Sequence, residues 1–404
     1  MPTVVEGTWR SDVNTAEGSL IPVVYKGKLY GIVVTGYRGI SLVDFYDDSI
    51  RLLGEIIQDS GFHVRITDFK VKSSTVEILY IYEYLPNNEI VITKAEINLD
   101  EFTVTRTDEL RIPNAITHEY DLYYSTFIPP RLLVLNVTNT SRIRVLDIED
   151  TSYEDIDTLL DSTYSAFPGT FYVVRGRELY VALGRWMDND YFRLIKIFSG
   201  SVVDLDVSAV GGKPTINAGL PLQIGRTVIY PFIASGTRDT NKAISFFDKN
   251  FNHIANLDLG TLSGYTYNDP YSGIAFLGRL SNGNYAVLIS IANNHWNYAT
   301  AIKLMYVELD SSLNIITSQT LLEINDTKEQ NEINVYLRHK IFSLRPYNSD
   351  ITCRPIIDTQ NKIVYLLYQG FDPNTGIIYS KPIYIDISDL DIVEWNPHNW
   401  LINY

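Results

Sequence analysis

A chain of 404 residues with 45% hydrophobic and 20% charged content is globular rather than disordered, and is long enough for several domains or one repeat-built domain. Its net charge of -15, from 33 basic and 48 acidic residues, repels nucleic-acid phosphates and anionic lipid. The single cysteine, Cys353, rules out an internal disulfide and zinc sites built from several cysteines.

The amino terminus, M-P-T-V-V-E-G-T-W, has neither the basic nor the apolar region of a secretory signal. No apolar run approaches the roughly 18 residues that span a bilayer. The expectation is a chain made without export and without membrane insertion, cytoplasmic or carried on a virion. Its 29 tyrosines, with many Ile, Val and Thr, favour strands. The first strand-like runs are 20–25, 29–35, 40–45 and 50–55, with a glycine turn at Gly27 between the first two. Equivalent turns recur at Gly176, Gly225 and Gly283, and a second turn follows each third strand at Asp48, Asp100, Asp150, Gly200, Asp248, Asp310 and Asp389. Runs 170–174, 179–184, 191–198 and 202–207 repeat the group of four, as do 274–279, 285–292, 301–309 and 315–324.

Four short strands recurring about every 50 residues are the pattern of propeller blades. The chain therefore reads as all-β, one seven-bladed β-propeller of four-stranded antiparallel blades. The blades span about 10–58, 59–113, 114–163, 164–210, 211–260, 261–324 and 351–404. Two β-sandwiches compete, but sandwich strands need not recur in fours at a constant period. The only helical candidate is 154–162. Residues 325–350 are an insertion before the last blade, an extra hairpin or projecting loop made basic by Arg338 and His339. Either residues 3–6 or residues 400–404 can supply a strand that closes the ring.

In the third unit, L-L-V-L-N-V-T-N-T-S-R-I-R-V-L-D-I-E-D at 132–150 carries V-T-N at 137–139 and V-L-D at 145–147. It resembles the YVTN-type repeat of surface-layer-like propellers, and the first unit matches more loosely. The resemblance implies a binding or structural propeller and transfers no catalytic residues. The markers of WD, kelch and sialidase repeats are absent from the sequence.

Propeller loops divide between two faces. The hairpin turns within strand pairs one–two and three–four are short here, whereas the opposite connections are longer and carry aromatic and basic residues. Tyr37, Arg38, Arg185, Trp186, Arg238, His295, Trp296 and Tyr298 lie on the longer connections, and such side chains on a rigid scaffold anchor recognition of a protein or glycan. Arg338 and His339 offer a docking point for an acidic partner. At the axis, residues entering the inner strands include His63, Arg65, His118, Glu119, Asp121, Asp269, Asp350 and Arg354. His63, His118, Glu119 and Asp121 are the candidates for acid–base chemistry or a divalent metal there; no other cofactor is expected.

The acidic run 147–161 lacks ordered ligand spacing and reads as a solvated loop. No P-loop, dinucleotide fingerprint or Ser-His-Asp arrangement is present in the sequence. The expectation is a non-catalytic recognition or assembly propeller on a virion or cell surface, possibly oligomeric, with an archaeal host in view. Its acidic balance suits an acidic exterior. A sugar- or lactone-acting hydrolase or lyase using the axial cluster is the alternative, and a cytosolic interaction scaffold is third.

Overall fold

The computed structural model describes every residue except 9–18, 36–38, 48, 55–63, 116–125, 129–131, 138–141, 158–166, 176–177, 185–191, 198–201, 205–212, 218, 236–240, 251, 266–271, 295–298, 326–337, 342–353, 373–377 and 403–404. Its strands form seven antiparallel sheets, each stepping outward from an inner strand. The first runs Ser19–Tyr25, Lys28–Thr35, Gly39–Asp44, Ser49–Gly54. The second runs Val64–Lys72, Thr75–Tyr84, Glu89–Asn98, Thr103–Ile112. Thr126–Ile128, Leu132–Val137, Arg142–Asp147 and Tyr153–Asp157 make the third. The fourth holds Phe167–Arg175, Glu178–Gly184, Phe192–Lys196 and Val202–Asp204.

In the fifth sheet the inner position is split. Lys213–Asn217 and Leu222–Ile224 both pair with Thr227–Ser235, which is followed by Asn241–Asp248 and His253–Asp258. The sixth runs Gly273–Leu280, Tyr285–Asn294, Ala299–Leu309, Ile315–Asn325. The seventh is composite: Arg338–Ile341 and Ile356–Asp358 line one edge of Ile363–Phe371, Ile378–Asp386 follows, and Thr3–Glu6 is its outer strand.

Alternation decides how these sheets pack. Thr75–Tyr84 buries every second side chain at its start, because successive residues of a strand face opposite sides. Five neighbouring pairs of sheets bury a shared apolar core between their facing sides. Ile32 and Leu42 of the first sheet share a core with Tyr80 and Val91 of the second. Ile81 and Ile90 of the second pack with Leu133 and Leu146 of the third. Ile244 and Phe246 of the fifth meet Val287 and Ile289 of the sixth. Leu288 and Leu304 of the sixth meet Leu366 and Ile383 of the seventh. Leu20 and Val43 of the first meet Tyr365 and Leu367 of the seventh, which closes the ring. Inner strands Thr126–Ile128, Phe167–Arg175 and Lys213–Asn217 touch in succession, linking third, fourth and fifth sheets. The chain is an all-β propeller.

Turn chemistry repeats with the sheets. Lys26 and Gly27 both take positive φ, 48° and 73°, the geometry of a two-residue type I′ hairpin turn. At the end of the third strand an Asp or Asn side chain accepts backbone N–H groups two to four residues on: Asp44 from Tyr46 and Asp47, Asn98 from Asp100 and Glu101, Asp248 from Asn250 and Asn252, Asp310 from Ser312 and Asn314, Asp386 from Ser388. Asp147, in the V-L-D of the third unit, does the same to Glu149 at 3.0 Å. These Asx turns supply the partners that the turning backbone would otherwise lack. Asp248 and Asp310 are the residues expected from the sequence. At Asp100, Asp150 and Asp389 the expected marker lies two or three residues past the residue at the strand end, with Asp150 itself accepting from Ser152 N–H, while Asp48 and Gly200 lie outside the described residues.

Four expectations are corrected. Of the helical candidate 154–162, residues 154–157 belong to the outer strand Tyr153–Asp157 and the rest lie outside the described residues; the one α-helix among the described residues is Leu259–Ser263. The acidic run 147–161 is accordingly not a solvated loop throughout. Asp155 holds Arg144 with two bonds of 2.7 and 2.9 Å, and the same guanidinium reaches the carbonyls of Asn114 and Ala115. Within 325–350, Arg338–Ile341 is neither a separate hairpin nor a loop but a strand on the seventh sheet. Residues 392–395, expected in the last blade, pair instead with the sixth sheet, because the outer place on Ile378–Asp386 is taken by Thr3–Glu6.

Candidate functional site

Most of the site residues expected from the sequence lie outside the described residues. These are His63, His118, Glu119, Asp121, Tyr37, Arg38, Arg185, Trp186, Arg238, His295, Trp296 and Tyr298. Arg338 and His339 are placed in a strand whose partners are Phe371 and Gly370. Among the described residues no three His, Cys, Asp or Glu side chains stand together as metal ligands.

The structure defines instead the opposite mouth of the propeller, on the face of the short turns. Lys26, in the hairpin turn of the first sheet, pairs there with Asp100, in the third-to-fourth-strand turn of the second. The chain returns to the axis at this face after its last sheet strand. Ile392–Trp395 adds antiparallel to the inner edge of Gly273–Leu280, with Trp395 opposite Gly278, Glu394 opposite Arg279 and Ile392 opposite Leu280. Trp400–Ile402 then adds in parallel to Ile356–Asp358. Because both host strands are innermost in their sheets, the segment lies within the axial opening.

A tight turn joins these two strands. Asn399 N–H donates to the Asn396 carbonyl at 3.2 Å, and Pro397 follows Asn396 at the position where its fixed φ favours a turn. Both asparagines are clamped to the ring. Asn396 Nδ2 donates to the Pro221 carbonyl at 3.0 Å, and Asn399 Nδ2 to the Phe276 carbonyl at 2.6 Å. Trp400 packs edge-on against Phe69 of the second sheet at 5.5 Å and 72°, with the Arg354 guanidinium 5.0 Å from its ring. Trp400 and Ile402 also join the core between the seventh and first sheets. One eleven-residue segment thus touches the second, fifth, sixth, seventh and first sheets.

Close approach here requires a glycine. A Cβ on Gly278 would stand 2.2 Å from the Glu394 carbonyl and 3.0 Å from Trp395 Cα, so a side chain there has no room while the segment is in place. The segment also holds buried polar atoms without hydrogen-bond partners: Asn396 Oδ1, His398 Nε2, Asn399 Oδ1 and Trp400 Nε1. The two carbonyl clamps fix which end of each amide faces the ring, so both orphaned oxygens are acceptors. Burial lowers the His398 pKa below its ordinary value, and the Arg354 charge adds to the effect, so the imidazole is neutral at pH 7.

The same face gathers exposed apolar side chains. Of the eleven large hydrophobic residues exposed among those described, Val24, Tyr46, Val71, Tyr153, Ile254, Ile315 and Ile316 lie in or within three residues of a short turn on this face, and Val393 lies on the axial segment. Sequence reasoning missed this mouth. N-P-H-N-W, with two asparagines flanking Pro-His, was a turn signal, but only the occupied outer edge of the seventh sheet sends it to the axis.

By sequence the chain matches no family model and no curated protein. Among solved structures it is similar to a chain of the Saccharomyces cerevisiae core factor at 9% identity and a TM-score of 0.45. That match covers 95% of this chain and 61% of the other, so the chain spans about three fifths of that protein. It is similar to the WD40 domain of SCAP from fission yeast at 9% identity and TM-score 0.37, covering 100% and 89%. A variant of an apocarotenoid oxygenase from Synechocystis matches at 11% identity and TM-score 0.38, covering 75% and 70%. These likenesses are too distant to carry function, and the site is read from its own residues. No described helix is long and apolar enough to cross a membrane.

Proposed function

We propose that this chain is a non-catalytic recognition or assembly propeller, presenting its short-turn face to a protein partner at a cell surface or on a virion. The observation that carries the reading is that Val24, Tyr46, Val71, Tyr153, Ile254, Ile315 and Ile316 stand exposed on or beside the short turns of several neighbouring sheets, with Val393 on the axial segment between them. Apolar side chains held on closely bonded turns of a rigid scaffold are surface that a protein partner can cover. Ion-paired and Asx-bonded turns hold the backbone in place, so little ordering is required when a partner docks. We further infer seven blades, a count supported by the seven sheets and their paired cores. The YVTN-type likeness of the third unit is consistent with a structural propeller, and its V-L-D supplies an Asx turn. The longer connections bearing Trp186 and Trp296 remain a second proposed surface, suited to a protein or glycan.

A photo-crosslinking residue placed at Tyr46, Ile316 or Leu110 in the native host tests the reading. Tyr46 and Ile316 lie on the proposed face, and Leu110 lies towards the other end of its strand. A discrete product from the first two positions and none from Leu110 is expected. Equal yield from all three, or no product at all, defeats it.

A further inference from the structure

We propose that the inner edges of Gly273–Leu280 and Ile356–Asp358 form an exchangeable peptide-binding site, closed at rest by the chain's own residues 392–402. Three observations meet at this place. First, the edges receive a strand by backbone pairing, antiparallel on one and parallel on the other, which is how extended peptides add to sheets. Second, Gly278 has the shape of an acceptor floor, because any Cβ would collide with the incoming backbone. Third, the resident segment is imperfectly satisfied. Four of its polar atoms are buried without partners, although most buried polar groups in folded proteins are paired. Water would satisfy all four on release, which biases this segment towards local opening relative to the strands Gly273–Leu280 and Ile356–Asp358, which hold no such buried side-chain atom.

The resident sequence defines the chemistry of its replacement. The partner is an extended segment of a separate protein, with aliphatic residues where Ile392 and Val393 stand and an acid opposite Arg279. That acid takes the place of Glu394, which pairs with Arg279 at 3.1 Å. A tight turn follows, then an indole or similar ring between Phe69 and Arg354. The resident segment competes with the partner, so the observed affinity is the intrinsic one reduced by the open fraction. This site is separate from the outer apolar face, and its test does not depend on that face.

The probe is a fluorescein-labelled synthetic peptide with the sequence of residues 391–404, titrated into the full chain and followed by anisotropy. Trp400→Ala loosens the resident segment but leaves the edges intact, and is expected to bind the peptide at least tenfold more tightly than the unmodified chain. Gly278→Val blocks the edge and is expected to bind none, and a scrambled peptide is expected not to bind. If Trp400→Ala melts cooperatively yet takes up no peptide, or if Gly278→Val binds as well, the proposal is overturned. Self-association without peptide binding overturns it too. Hydrogen exchange on the unmodified chain supplies a measurement that needs no variant. Amides of Ile392–Trp395 and Trp400–Ile402 should exchange together, at least a hundredfold faster than those of residues 364–368. Exchange as slow as that core strand overturns the proposal.

Discussion

Lys381 Nζ lies 2.6 Å from Glu6 Oε2, and the lysine side chain is only 1% exposed. The pair joins the outer strand Thr3–Glu6 to Ile378–Asp386, 375 residues later in the chain, and the Tyr368 ring lies 5.7 Å from the same ammonium. Removing the acid leaves a buried cation with a weakened set of partners. Glu6→Gln should therefore cost about 3 kcal/mol in urea unfolding. Lys381→Met should cost less, because Glu6 can turn towards water, and the double variant should recover part of the loss. Equal costs for both single variants would contradict this account.

Glycines at two kinds of position should respond differently. Gly219 pairs with Ile274 across the fifth and sixth sheets, and a Cβ would lie 2.0 Å from the Ile274 carbonyl, a backbone atom that cannot swing aside. Gly219→Ala should destabilise by about 3 kcal/mol. A Cβ on Gly27 meets nothing within 4 Å, so only its positive φ penalises alanine, by about 1–2 kcal/mol. Thermal unfolding of the two variants measures the difference directly.

Acid should weaken the turns. Hydrogen bonds from the Asn314 side chain and backbone hold Asp310 below the usual carboxylate pKa, the Ser388 hydroxyl does so for Asp386, and Lys26 does so for Asp100. A depressed carboxylate contributes stability that is complete above its unfolded pKa of about 3.9 and is lost as pH falls through the folded value. Asp310→Asn should flatten the fall in urea midpoint below about pH 4. These carboxylates stay charged in mild acid, so the turns themselves offer no adaptation to an acidic exterior.

His398 should add a separate dependence at higher pH. Its folded pKa is depressed, so the unfolded chain takes up the proton first, and stability rises with pH until about 6.5. Below that range an imidazolium would form beside Arg354. His398→Phe keeps the ring and removes the titration. Its stability should show no slope between its parent's folded pKa and pH 6.5, and an unchanged slope would place the titration elsewhere.

The hydrophobic frame of the fold was legible because each strand alternates and each hairpin carries a local marker. Runs such as 315–324 lie within one residue of the strand Ile315–Asn325. What local pattern does not contain is competition between distant strands for one edge. Thr3–Glu6 and residues 392–395 are both good strands, and only pairing with Ile378–Asp386 decides which becomes its outer neighbour. Arg338–Ile341 misled in the same way. Its flanks are polar, yet its own four residues fit the free edge beside Tyr368–Phe371 in register. The axial segment was invisible for a further reason: Gly278 carries no turn signal, and its meaning emerges only when Trp395 is placed against it.

Closing the ring by joining Thr3–Glu6 to a strand made near the other end has a kinetic consequence. At about 5–20 residues per second of synthesis, Glu6 waits on the order of 20–75 s for Lys381 to emerge. Until then Thr3–Glu6 has no sheet to join, because its partner strand Ile378–Asp386 is not yet made. Contacts this distant in sequence form late and slowly. The newborn chain therefore passes through an open arc of finished sheets with the apolar faces that the seventh sheet will cover, on the first and the sixth, still bare, and it is during that interval that it is most exposed to capture by chaperones or by another nascent copy.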